Sequence, residues 1–297
     1  MNSAENIKSH FHLHFVVILL GFTAILGSLI SLDAIHLVWW RMLFAFIGLW
    51  FFILIKGTNY LLKLRDVFKL LVIGVVIALH WIFFFHAINV SNVSVTLGVL
   101  ASTTLFTSFI EPLFNRKKIL FLEVFIGLLV IGGLYIIFQF ETHYYKGILF
   151  ALMAALLNGL FAVLNKKISL RYEPTVISFY EMIGGFGIIS VYYLLTGGFD
   201  ITFFKISTPD FIYILALGFL CTSYAFAAIV HIMKVLTAFN VVLAINMEPV
   251  YGIIMALIIF GENEQMSPGF YAGTIIIIAA VFTYPILKRK FIRNNLH

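Results

Sequence analysis

Glu248 is the residue in this chain best placed to do chemistry. It is a carboxylate followed by Pro249, in the middle of the apolar run VVLAINMEPVYGIIMALIIFGE from Val241 to Glu262. Read as one helix entered near Ala238, ten residues at about 1.5 Å each put Glu248 about 15 Å deep, half of a hydrocarbon core of about 30 Å. An acidic group there costs about 2.5 to 3.5 kcal/mol on insertion scales, so it is expected to face a bundle interior or a wet cavity. Pro249 removes a backbone donor, and a membrane helix tolerates the freed carbonyl only where a neighbour or a cavity satisfies it. An apolar surround disfavours the charged form, so Glu248 can act as substrate ligand, as proton carrier, or as both. The competing role is packing, with the carboxylate bonded to a neighbouring hydroxyl or backbone group. Tyr251 stands one turn on, on a similar face.

Other polar groups fall inside apolar runs. Thr96, Thr103 and Thr107 share a face at helical spacing, and Thr103 is also about 15 Å deep. They either meet substrate or pair helices, as hydroxyls do in membranes. His80 and Trp81 lie near the middle of another run; His80 suits a cavity wall or a pH-sensitive group, and Trp81 could stack on a planar substrate, with core packing the alternative for each. His86, six residues on from His80, faces another way, so the two make no metal pair. Tyr213, Tyr224 and His231 return to one face at spacings of eleven and seven, which suits a polar aromatic wall along a path; interfacial anchoring is the plainer reading. Asn158 is the deeper of an Asn158/Asn165 pair. Arg41 and Glu181, each about 9 Å from its nearer surface, read as structural or gate charges. Of His10, His12 and His14 only the first and last share a face, so neither a metal nor a cofactor is expected. There is no HExxH, no GxSxG and no pair of intramembrane aspartates, and the chain is read as no enzyme.

The elements that must hold these residues are membrane helices. Apolar residues make up 62% and charged residues 11%, where soluble domains carry about a quarter charged; mean hydropathy is +1.08. Ten apolar runs can be marked, at 14–31, 37–55, 68–89, 94–114, 120–139, 147–165, 175–195, 210–232, 238–260 and 269–287. With the N-terminus cytoplasmic, sixteen Lys and Arg fall in inner segments, only Lys146 and Lys205 fall outside, and Arg41 is within a span. Every loop pair then obeys the positive-inside rule, so the net charge of +6 reports orientation and not nucleic-acid binding. The first run is read as a retained helix, not a cleaved signal. The single cysteine, Cys221, excludes an intrachain disulfide.

The chain also repeats. A shift of 146 lays Val95–Arg116 on Val241–Glu262 and Gly127 on Gly273; farther upstream a shift of 140 lays Arg41 on Glu181. Each half, 1–140 and 141–297, then holds five spans, and an odd number forces the halves into opposite orientations, with a site expected near midplane at their interface. Small-residue pairs Gly74/Ala78 and Gly269/Gly273 allow close approach of helices, the second either to a second copy or within its own bundle.

Glu248, Pro249 and Val250 followed by Gly261, Glu262 and Gly273, with HAINVSNVSVTLGVLASTTLFTSFIEPLF and RMLFAF in the first half, resemble the EamA-type members of the drug/metabolite transporter superfamily. The resemblance covers essentially the whole chain. It implies an all-α integral membrane protein of ten helices in two inverted five-helix repeats in the cell membrane, and the loop charges put both termini on the cytoplasmic side. It implies a central cavity lined by the first, third, fourth, sixth, eighth and ninth helices, and export of small metabolites. The expected function is a secondary transporter of amino acids or related compounds working by alternating access, with protons as a coupling partner if Glu248 exchanges them. A multidrug or lipophilic-cation exporter, a facilitative uniporter and a channel-like protein remain open. The expected partners are a small-molecule substrate and the bilayer, in a monomer or homodimer.

Overall fold

The computed structural model describes residues 3–115, 121–232, 236, 241 and 244–294. Among these the chain is helical throughout, with no strand. The elements are α1 (Ser3–Leu29), α2 (Ala34–Lys56), α3 (Leu64–Val90), α4 (Val93–Leu100), α5 (Thr103–Asn115), α6 (Phe121–Phe140), α7 (Tyr145–Ile168) and α8 (Pro174–Thr196). After them come α9 (Thr208–Leu215), a π-helical segment (Ala216–Tyr224), α10 (Ala225–Ile232), α11 (Glu248–Phe260) and α12 (Pro268–Asn294). Seven stretches among the described residues are long and apolar enough to cross a membrane, counting α4–α5 as one and the helix through the π segment as another. Two shorter apolar ones, Val124–Phe140 and Pro268–Tyr284, accompany them.

The repeat is legible in the elements. The bounds of α2 and α8 differ by 140 at both ends, and each helix closes on a left-handed glycine, Gly57 at φ 60° and Gly197 at φ 71°. α5 and α11 are both 13 residues long and begin 145 apart. Helix pairing respects the same relation: α2 packs on α8, α6 on α12, α3 on α7, and 208–232 on α1. Exchanging the halves leaves the first two pairs in place and swaps the last two.

Two expected helices are broken, at matching positions. The ninth apolar run is not one helix through Glu248, because α11 starts there after a turn at Asn246–Met247. Pro249 has no N–H for the carbonyl of Ile245, and the chain tightens instead, Met247 N–H donating to Ala244 O at 2.9 Å. In the first half the turn is Ala101–Ser102, and no proline causes it. Ser102 N–H donates to Val99 O at 3.0 Å and Leu105 N–H to Ser102 O at 2.9 Å, while the Thr103 hydroxyl donates to Leu100 O at 2.8 Å. Local hydroxyl bonds of this kind compete with the helical ladder.

The bundle closes on small residues. Gly74 of α3 lies against the carbonyl of Glu181 in α8, and Gly273 of α12 lies against Gly133 of α6. The Gly269/Gly273 pair thus seats α12 on its own chain, facing Phe140, Ile137 and Gly133. One large apolar core runs through α1, α2, α3, α8 and the π segment, and a second joins α6, α7 and α12.

Candidate functional site

The two helix breaks meet the same open space. A cavity of about 240 Å³ is lined by Leu20 and Thr23 of α1, Arg41 of α2, His80, Trp81 and Phe84 of α3, Leu100 of α4 and Asn158 and Phe161 of α7. Cys221, Phe226, Ile245 and Glu248 close its other side. A second cavity of about 150 Å³ shares Leu100, Asn158, Ile245 and Glu248 and adds Thr103, Thr104, Asn246 and Pro249. Among the described residues Glu248 is the one acidic side chain lining either cavity, at the N-terminal end of a half-helix whose exposed N–H groups favour an anion.

Arg41 is fixed on several sides. It is 3% exposed; its guanidinium carbon lies 3.7 Å from the Trp81 ring centre and 5.6 Å from that of Phe85. Its Nε donates to the Thr222 hydroxyl at 3.2 Å, and that hydroxyl donates to Leu217 O at 2.9 Å. Leu217 is five residues back, a partner that only the widened turns of the π segment put within reach. Nη1 of Arg41 is buried with no hydrogen-bond partner, and among the described residues no carboxylate stands within ion-pair distance of it.

The other expected residues divide. His80 faces the cavity with its Nδ1 donating to Ala154 O at 2.8 Å, and Thr103 lies in the second cavity. Tyr224 and Tyr251 line neither. Tyr224 is 40% exposed and bonded to His12 at 2.8 Å, and Tyr251 is bonded to His14 Nδ1 at 2.9 Å. The reason for Tyr224 is the π segment: spacings of eleven and seven assume 3.6 residues per turn, and wider turns rotate the residues beyond them, so Phe226 and Ile229 take the cavity face. Glu181 is 1% exposed beside the Asn165 amide, away from both cavities, with Oε1 unpartnered. Glu111 pairs with Lys166; the cations that follow it in sequence, Arg116, Lys117 and Lys118, lie outside the described residues, as does the Glu123 side chain. No group of three His, Cys, Asp or Glu able to hold a metal occurs among the described residues.

One end of the bundle is held by three buried carboxylates, each standing in a loop or at a helix end. Asp210 accepts from the Ser31 N–H at 2.9 Å and the Ser31 hydroxyl at 2.6 Å. Glu264 accepts from the N–H groups of Val93 and Ser94 at 2.9 and 2.8 Å, capping α4 from the other half. Glu141, at the joint between the halves, accepts from the N–H and hydroxyl of Ser267 at 2.9 and 2.6 Å. Only Asp210 carries a sequence signal, the Ser207-Thr-Pro-Asp start of a capped helix.

A helical membrane bundle with paired halves and a central cavity bearing buried charge defines a multi-pass membrane transporter. The EamA-like transporter family model matches the chain twice, over 9–139 and 145–284, and the chain belongs to that family. No curated protein matches it. A solved crystal structure, described only as that of a protein, superposes with a TM-score of 0.65 at 14% identity, over 95% of this chain and 99% of the other. At that identity the likeness speaks for the fold alone.

Proposed function

We propose that this protein is a secondary transporter that exports small metabolites, amino acids or related compounds, by alternating access. Its ten spans form two inverted five-helix repeats, with both termini on the cytoplasmic side of the cell membrane. The observation that carries the reading is Glu248, an intramembrane carboxylate at a helix break that opens on the cavity between the halves. A carboxylate in that position has to be neutralised in each cycle by a proton or by a cation on the cargo, and this gives the two halves a reason to move. His80, Trp81, Asn158 and Thr103 supply the remaining polar and aromatic surface. Tyr251, and Tyr224 with it, act through their histidine partners on α1. The aromatic walls at Trp81, Phe84, Phe161 and Phe226 also favour an amphipathic cargo, which is the multidrug reading; Arg41 on the same wall weighs against a bare lipophilic cation.

The test is uptake of labelled amino acids and related metabolites into proteoliposomes, with and without an imposed pH gradient, by wild type and Glu248→Gln. Gradient-driven uptake lost in the variant, with exchange at equal pH retained, is the expected result. Equal flux in both proteins whatever the gradient demotes Glu248 to packing and favours a facilitative uniporter. No flux for any compound removes the transporter reading.

A further inference from the structure

We infer that Arg41 is the anion-binding residue of the transport site, receiving a carboxylate of the cargo, and that Trp81 and Thr222 are its positioning residues. The inference rests on the transporter reading above and departs from the gate role expected of Arg41 from sequence. A guanidinium buried to 3% exposure, with no carboxylate in ion-pair reach among the described residues, is costly unless something completes it. Its hydrogen-bonding is incomplete in one particular way. Nε is committed to Thr222, the flat face lies over Trp81, and Nη1 is buried with no partner, so the residue borders the cavity with its fork unfilled. A planar, two-oxygen anion is what such an edge recognises.

The local sequence builds this orientation. Because the Thr222 proton is committed to Leu217 O, its oxygen can only accept from Arg41, which fixes the direction of Nε. Ser223 anchors the same widened turn to α2, its hydroxyl lying 2.9 Å from Ala45 O and 3.1 Å from Gly218 O. Glu248 borders the same cavity, so a cargo with both a carboxylate and an ammonium group can address both charges at once. Phe161 and Phe226 leave apolar surface for its side chain. The class is a zwitterionic α-amino acid with an apolar side chain, and removal of its carboxylate is predicted to matter more than trimming its side chain.

The experiment measures apparent affinity by thermal stabilisation of the purified full-length protein. The ligands are leucine, leucinamide and isopentylamine, and phenylalanine with its amide and amine. Wild type is expected to bind the acids at least about tenfold more tightly than the amides, the span of a charge-assisted pair. Arg41→Gln brings the acid-to-amide ratio to near one, and Arg41→Lys, which keeps the charge but loses the planar fork, lowers it in part. Thr222→Val lowers the ratio severalfold and Thr222→Ser restores it, a pattern that loss of packing alone does not produce. If Arg41→Gln fails to fold, the wild-type ratio and the Thr222 pair still decide. Wild type blind to both series, or binding acid and amide alike, overturns the inference, as does an Arg41 variant that keeps the wild-type ratio. Failure of the transporter reading looks different: an acid preference that survives in a protein giving no flux in proteoliposomes.

Discussion

At the scale of single residues, burial turns ordinary polar groups into committed ones. Glu248 can be picked from sequence because a carboxylate flanked by proline deep in an apolar run is costly anywhere, and that cost is visible without coordinates. Arg41 is equally visible as a charge, yet its bearing is not, because position along a helix gives depth and says nothing of which neighbour lies across the groove. Glu264 shows the limit more sharply. In sequence it is one of two acids in a short turn, and only the fold brings it to the N-terminus of α4, where it is 3% exposed and takes two backbone N–H groups. Glu264→Gln keeps the shape but loses the charge that makes these bonds strong. The expected cost is about 1.5 to 3 kcal/mol, read as a lower melting temperature in detergent. Glu262→Gln, in the same turn and exposed, is the control and is expected to leave melting unchanged. Equal melting of the two variants would mean that the cap contributes little.

Elements are legible where a period or a punctuating residue marks them and illegible where local bonding changes the period. The matching ends of α2 and α8 follow from Gly57 and Gly197, and those glycines stand in the sequence at the right spacing. The break before Glu248 has a proline to announce it; the break at Ala101–Ser102 has only hydroxyls, and the π segment has no punctuation at all. That segment is why Tyr224 does not reach the cavity. Helix crossings obey the same logic as the breaks. A methyl group on Gly74 has to displace the backbone carbonyl of Glu181, and a carbonyl held in a helix does not yield easily. Gly74→Ala is therefore expected to destabilise by about 1 to 3 kcal/mol. Gly187→Ala in α8, where a methyl group meets nothing within 4 Å, is expected to be neutral or to gain up to about 1 kcal/mol of helix propensity. Thermal denaturation of both in the same detergent separates a close crossing from a general dislike of alanine.

For the whole molecule the question is which end of the cavity opens, and the hydrogen bonds divide the answer between two faces. One face is tied by Asp210 to Ser31, Glu264 to Val93 and Ser94, and Glu141 to Ser267. In the proposed orientation this is the outer face. The inner ties are His12 to Tyr224, His14 to Tyr251 and Glu111 to Lys166. A rocking cycle needs these two sets to be made and broken in turn, so weakening one set shifts the population toward the state it opposes. Cys221, the only cysteine of the chain, reports that shift, since it lines the cavity at 1% exposure. In right-side-out vesicles a membrane-impermeant maleimide is expected to label wild-type Cys221 slowly. Asp210→Asn and Ser31→Ala, each loosening the outer tie by about 1 to 2 kcal/mol, are expected to raise that rate about tenfold. A transported amino acid should slow labelling in both variants by occupying the cavity. Rates that do not move in well-folded variants would show that these ties hold the fold together and do not gate it. A rate that rises without protection by cargo would show an opened outer face over a cavity that is not the transport site.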